Sequence, residues 1–76
     1  LRYNGFMSIE FSGNIAVIKT RPGYASSLAY DIDDHNFHEI IGTIAGDDTI
    51  MLIIREGHSR HDVIHTLANL IPNITK

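Results

Sequence analysis

Read for the spacing of apolar and polar positions, the chain divides into six segments. Met7, Ile9 and Phe11 alternate with Ser8 and Glu10, the period-two pattern of a strand with one buried face. Gly13-Asn14 supplies turn chemistry, and Ile15-Ala16-Val17-Ile18 follows as a partly β-branched run, so this stretch predicts a β-hairpin. Pro22-Gly23 ends the second strand and can open a helix, because proline is tolerated in a first turn. Ala25, Leu28, Ala29 and Ile32 fall at i, i+3, i+4 and i+7, one face of a helix. Asp33 to Asn36 reads as a loop. Ile40 to Ala45 predicts a third strand, Gly46-Asp47-Asp48 a turn and Thr49 to Ile54 a fourth strand. Glu56-Gly57-His58 breaks the pattern. Ser59 and Asp62 stand at the spacing of a capping box. Val63, Ile64, Leu67, Leu70 and Ile71 then mark a second amphipathic helix, stopped by Pro72.

The order ββαββα predicts a two-layer α+β domain, a four-stranded, mostly antiparallel sheet with two helices on one face. The helices can cover only that face. Ile15 to Ile18 and Ile50 to Ile54 are nonetheless apolar at consecutive positions, so both faces of those strands are apolar. An open apolar sheet face is an association surface, and the expected occupant is another copy of the chain. The alternative is that one of the two runs is partly a helix end or an edge strand.

Composition narrows the function classes. A chain of 76 residues holds one domain. A domain of this size buries only about 60% of its unfolded surface, so its stability is marginal without help. With no cysteine, neither disulfides nor a Cys-based zinc site can supply that help, and a cytoplasmic location is the default. The longest apolar runs are far too short to span a bilayer, so no membrane partner is expected. Leu1 is not an initiator Met and no basic segment precedes an apolar stretch. The expectation is a piece of a longer chain. Six Lys+Arg stand against nine Asp+Glu, a net charge of −3. The basic residues are scattered, whereas nucleic-acid binding needs a basic stripe. The acidic ones cluster, as Asp31, Asp33 and Asp34 and then Asp47 and Asp48, which favours a cationic partner.

Two blocks carry a resemblance. Gly42-Thr43-Ile44-Ala45-Gly46-Asp47-Asp48-Thr49-Ile50 resembles the signature of the arginine repressor C-terminal domain, and Lys19-Thr20-Arg21-Pro22-Gly23 is a second, weaker match. The spacing between the blocks and the closing strand and helix fit as well, so the resemblance spans nearly the whole chain. It implies a trimer built by packing sheets around a three-fold axis, and a hexamer made of two stacked trimers. It implies free L-arginine as corepressor between the trimers, with no other cofactor and no metal. It implies part of a transcriptional repressor or activator of arginine metabolism, not an enzyme. On this reading residues 1–76 are the C-terminal domain and residues 1–4 end an interdomain linker. A winged-helix DNA-binding domain, absent from this chain, would precede it and make the contact with operator DNA.

Site residues carry over one by one. Asp47 and Asp48 match the family's acidic pair at the arginine site. Thr43 and Ala45 match positions that line it, and Asp33 matches a helix-end carboxylate that receives the ligand's polar groups. Ser26 stands where Gln or His is expected; being shorter, it would leave room for a bridging water.

The chemistry of the acidic turn agrees. A guanidinium is planar, permanently charged and offers five donors in a fork, and carboxylates match it with parallel hydrogen bonds. Adjacent Asp residues on a tight turn direct their side chains apart, so one pair can serve two chains at an interface. By itself Gly46-Asp47-Asp48 is ordinary turn chemistry, and a metal-binding acidic hairpin would need further carboxylates and a larger protein. Asp31-Ile32-Asp33-Asp34 lacks the glycine and distant Glu of a calcium loop. His61 and His65 share a helix face with His58 one turn earlier, but no Glu follows His61 as a metalloprotease motif requires. Two competing functions stay open at this point. One is a structural oligomerisation module that binds no arginine. The other is a small-molecule enzyme on a similar fold, with His38 or His61 as acid/base.

Overall fold

The computed structural model describes residues 3–75. Strands β1 (Phe6–Ser12) and β2 (Ile15–Thr20) form the first hairpin, α1 (Ala25–His35) follows, and β3 (Ile40–Ala45), β4 (Thr49–Ile54) and α2 (Arg60–Leu67) complete the ββαββα order. A 3₁₀ turn over Pro72–Thr75 closes the chain. The sheet runs β1-β2-β4-β3 with every neighbouring pair antiparallel. β2 and β3 therefore point the same way. α1 carries the chain from one to the other, and β4 returns to fill the gap between them.

The period-two alternation decides which face is buried. Ala16 and Ile18 on β2 pair with Leu52 and Ile50 on β4, and Thr43 and Ala45 on β3 extend the same face. Onto it pack Ala25, Leu28, Ala29 and Ile32 of α1, Val63 and Leu67 of α2, and Ile71 and Ile74, all within one apolar cluster. The opposite face carries Ile15 and Val17 opposite Ile53 and Met51, with Gly42 and Ile44 continuing it on β3. No element among the described residues covers it: Ile44 is 73% exposed and Met51 43%. The expectation of two apolar faces and only one helical layer is thus met.

Several boundaries differ from the sequence reading, each for a local reason. Met7 does not share a face with Ile9 and Phe11. The pairing register shifts between Phe6 and Ser8, which puts Phe6 against the core and leaves Met7 exposed. A second bulge lies between Ile40 and Gly42 on β3. α1 begins at Ala25, after Pro22 and Gly23, and runs through the segment expected to be a loop. His35 Nδ1 lies 2.9 Å from the Asp31 carbonyl, and Asn36 adopts a left-handed cap with φ 55°, a conformation asparagine tolerates. Asp33 and Asp34 therefore belong to the last helical turn. α2 is shorter than expected. Leu70 and Ile71 both donate N–H bonds to the Leu67 carbonyl, so they leave the helix in a tight turn, and Pro72 opens the 3₁₀ turn that brings Ile74 into the core.

Of the linker expected over residues 1–4, Leu1 and Arg2 lie outside the described residues. Tyr3 packs edge-on against Tyr24 with ring centroids 5.1 Å apart, and Asn4 Oδ1 accepts the Phe6 N–H at 2.8 Å. Gly5, at φ 75°, passes so close to Tyr24 that a Cβ there would stand 2.5 Å from the ring.

The capping box forms with Asp in the acidic position. Ser59 Oγ accepts the Asp62 N–H at 3.1 Å and Asp62 Oδ2 accepts the Ser59 N–H at 3.0 Å. The Ser59 backbone bond, assisted by the Ser59 hydroxyl and by His58, lowers the Asp62 pKa below its ordinary 3.8. A lowered folded-state pKa means the contribution is full above the ordinary value and is lost as pH falls through the lowered one. Asp62→Ala is expected to destabilise the domain at neutral pH and to cost less in strong acid, where the carboxylate is protonated and its half of the box is already weakened. Urea denaturation at two pH values checks this, and an equal cost at both would contradict it.

Candidate functional site

The β3–β4 turn is held by its backbone. Gly46 N–H bonds to the Thr49 carbonyl at 2.8 Å and closes a two-residue loop over Asp47 and Asp48. The Asp48 carbonyl accepts the Thr20 N–H at 2.8 Å. The Asp47 carbonyl accepts those of Gly23 and Ala25 at 3.0 and 3.3 Å. The end of β2, the Pro22-Gly23 corner and the first turn of α1 are thereby clamped onto the acidic turn. Gly23 meets this clamp at φ 86°, a conformation glycine adopts without steric cost. The two sequence blocks singled out above are two halves of one hydrogen-bonded joint.

With the carbonyls directed into the joint, both carboxylates stand at the surface. Asp48 Oδ1 accepts the Thr49 hydroxyl at 2.9 Å. The Thr49 oxygen in turn accepts from Lys19 Nζ at 3.0 Å. The Asp47 carboxylate has no hydrogen-bond or ion-pair partner among the described residues.

The other candidates lie along the seam between α1 and β3. Ser26 and Asp33, seven residues apart, share a side of α1 and are separated by about 10 Å along its axis. Ser26 Oγ is 3.5 Å from the Gly46 carbonyl, too long for a strong hydroxyl hydrogen bond. Asp33 Oδ2 accepts the Thr43 hydroxyl at 3.0 Å. Thr43 and Ala45 are both half-buried and follow the seam towards the turn. The six candidates thus form one strip, with Ser26 beside the turn and Asp33 fastened to β3 further along. The sequence reading did not single out Lys19 and Thr49 as site residues. Both sit inside the quoted blocks, but only the β2–β4 register makes them direct cross-strand partners.

The strip is open. One cavity, of about 330 Å³, lies on the other flank of α1, against Tyr24, Ser27, Leu28 and Leu70. Another, of about 320 Å³, is lined by Phe11, Arg60 and Ile64. Neither includes any of the six residues. The histidines are dispersed: His61 and His65 stack at 6.3 Å on an exposed helix face, while His58 lies 3.6 Å from Asp62 and edge-on to His38 at 5.3 Å. Among the described residues no three His or carboxylate side chains gather as a metal site would require.

Residues 3–69 match the family model of the arginine repressor C-terminal domain, and the chain belongs to that family. It is 73% identical over 74 residues to the arginine repressor of Phocaeicola vulgatus and 68% identical over the same length to that of Bacteroides thetaiotaomicron. Both alignments cover 97% of this chain and 47% of the relative. The arginine repressor of Thermotoga maritima is 44% identical over 64 residues, covering 84% of this chain and 42% of the relative. The chain spans about half the length of the curated relatives it matches.

If the joint is made by the backbone, the Asp47 side chain is free for another task. Asp47→Asn is expected to leave unfolding stability within about 0.5 kcal/mol of the parent, as for exposed substitutions generally. A chemical denaturation series measures this, and a loss of several times that size would show a structural role for the carboxylate.

Proposed function

We propose that this domain senses free L-arginine and joins copies of itself as the regulatory, non-catalytic part of a transcriptional regulator. The observation that carries the reading is the clamped turn. The turn is clamped by backbone bonds to β2 and α1, and it presents two exposed carboxylates, one of them unpartnered among the described residues, with a third at Asp33 further along the strip. Lys19 reaches Asp48 only through the Thr49 hydroxyl, so among the described residues no cation pairs directly with the acidic turn. A guanidinium supplies a permanent charge and a fork of donors that carboxylates accept in pairs. Asp33, on the same strip, suits the ligand's remaining polar groups. An amino acid on so open a strip keeps much of its surface in water, so the walls it lacks would come from a facing copy.

The uncovered sheet face supports assembly. Ile15, Val17, Ile44, Met51 and Ile53 form an apolar stripe over three strands, and apolar burial of this kind drives association. We infer a trimer through this face, with two trimers meeting at the acidic strips as a hexamer. Without ligand, facing carboxylates repel; arginine removes that repulsion, and a ligand that binds only the assembled form stabilises it by mass action. Relatives named arginine repressors, about twice as long, support a wider reading. In it, a winged-helix domain in the other half binds operator DNA and the whole protein works in the cytoplasm on arginine metabolism.

Calorimetric titration with L-arginine and citrulline tests the sensor. Citrulline is nearly isosteric but neutral, so strong arginine heat with weak citrulline heat is expected. Silence with both would leave a purely structural oligomerisation module. Sedimentation on dilution should show millimolar arginine suppressing dissociation, and Asp48→Asn should abolish that response.

The face is tested separately. Met51→Lys places a charge in the centre of the stripe and is expected to give monomers by sedimentation velocity while the circular dichroism spectrum stays that of the parent. An unchanged assembly would reject this face as the contact.

A further inference from the structure

Asp48 is held in a way that Asp47 is not. An ammonium group can only donate. Lys19 Nζ stands 3.0 Å from Thr49 Oγ1, so the hydroxyl oxygen accepts there. Its single proton is left for Asp48 Oδ1, 2.9 Å away. The direction of the chain is therefore fixed from Lys19 through Thr49 to Asp48. Threonine's branched Cβ restricts its own rotation, and the backbone beneath it is pinned by the β2–β4 pairing, in which Lys19 and Thr49 lie directly opposite each other. One oxygen of the Asp48 carboxylate is occupied and the other is left to accept from outside. Asp33 is treated alike by the Thr43 hydroxyl, whereas Asp47 has no such hold.

We propose that Thr49, oriented by Lys19, is a positioning residue that sets the Asp48 carboxylate for a forked cationic ligand. This rests on the arginine reading above. Its physical content is preorganisation: a carboxylate already fixed in direction loses less freedom when the ligand binds. The relay also starts on the uncovered sheet face and ends at the acidic turn, so it connects the proposed contact between copies with the proposed ligand site through three side chains.

Thr49→Val removes the hydroxyl and keeps the shape and the strand preference. Titration of the intact chain with L-arginine is expected to show affinity reduced about tenfold, the scale of one hydrogen bond to a charged group. Thr49→Ser, which keeps the hydroxyl, should restore most of it. The preference for arginine over citrulline should narrow in the Val variant, because only the charged ligand depends on the aimed carboxylate. A loss of structure would weaken both alike. In an Asp48→Asn background Thr49→Val should add no further loss. Wild-type arginine binding that Thr49→Val leaves untouched would overturn the relay alone. So would equal weakening by Val and Ser, or a parallel loss of arginine and citrulline. Failure of the wild type to bind arginine would instead remove the site reading on which the relay rests.

Discussion

Everything at the functional end of this domain hangs on two backbone carbonyls. Those of Asp47 and Asp48 receive N–H groups from Thr20, Gly23 and Ala25, so a hairpin tip, a strand end and a helix start become one rigid joint. Buried backbone groups must find partners, and here each element supplies what the other lacks. The first turn of a helix has N–H groups with no partner inside the helix; the tip of a hairpin has carbonyls with none inside the sheet. A consequence is that the side chains at the tip are relieved of structural duty. Acidic residues, costly neighbours for one another in a closed fold, can be displayed there because the backbone does the holding.

The same division of labour runs through the sheet. One face is filled by the helices with Ile18, Ile50 and Leu52 at its centre, fully buried. The other face repeats the apolar chemistry, and none of the described residues is laid over it. A small domain that leaves so much apolar surface in water gives up part of the burial that stabilises larger folds. Association through that face, as proposed, would restore that burial. On this view the stability of the domain and its assembly are a single quantity, and a ligand acting at the joint shifts both.

Much of this was legible in the residues. The alternation in β1, the consecutive apolar runs of β2 and β4 and the i, i+3, i+4, i+7 pattern of α1 each report on packing directly, and they yielded the element order and the bare face. What the pattern missed was decided by geometry beyond nearest neighbours. A bulge moved Met7 off the face its spacing assigned it, and an asparagine cap extended α1 through a stretch of acidic residues that reads as loop. The chain beyond Leu67 kept Ile71 buried without keeping it helical. The site divides the same way. The acidic pair and Asp33 stood out by charge and by a nine-residue block. Lys19 and Thr49, thirty residues apart in sequence, meet only once the strand register is known.

The two bulges, one in each outer strand, have a consequence for growth. A straight, flat outer strand is a template onto which a further strand can add, and repetition of that step gives open-ended ribbons. Here β1 and β3 are both bent out of regular pairing, at Phe6/Ser8 and at Ile40/Gly42. Sideways extension is thereby discouraged at both margins, and in the proposed assembly copies would be steered towards meeting face to face, where rotational symmetry sets a finite number of subunits.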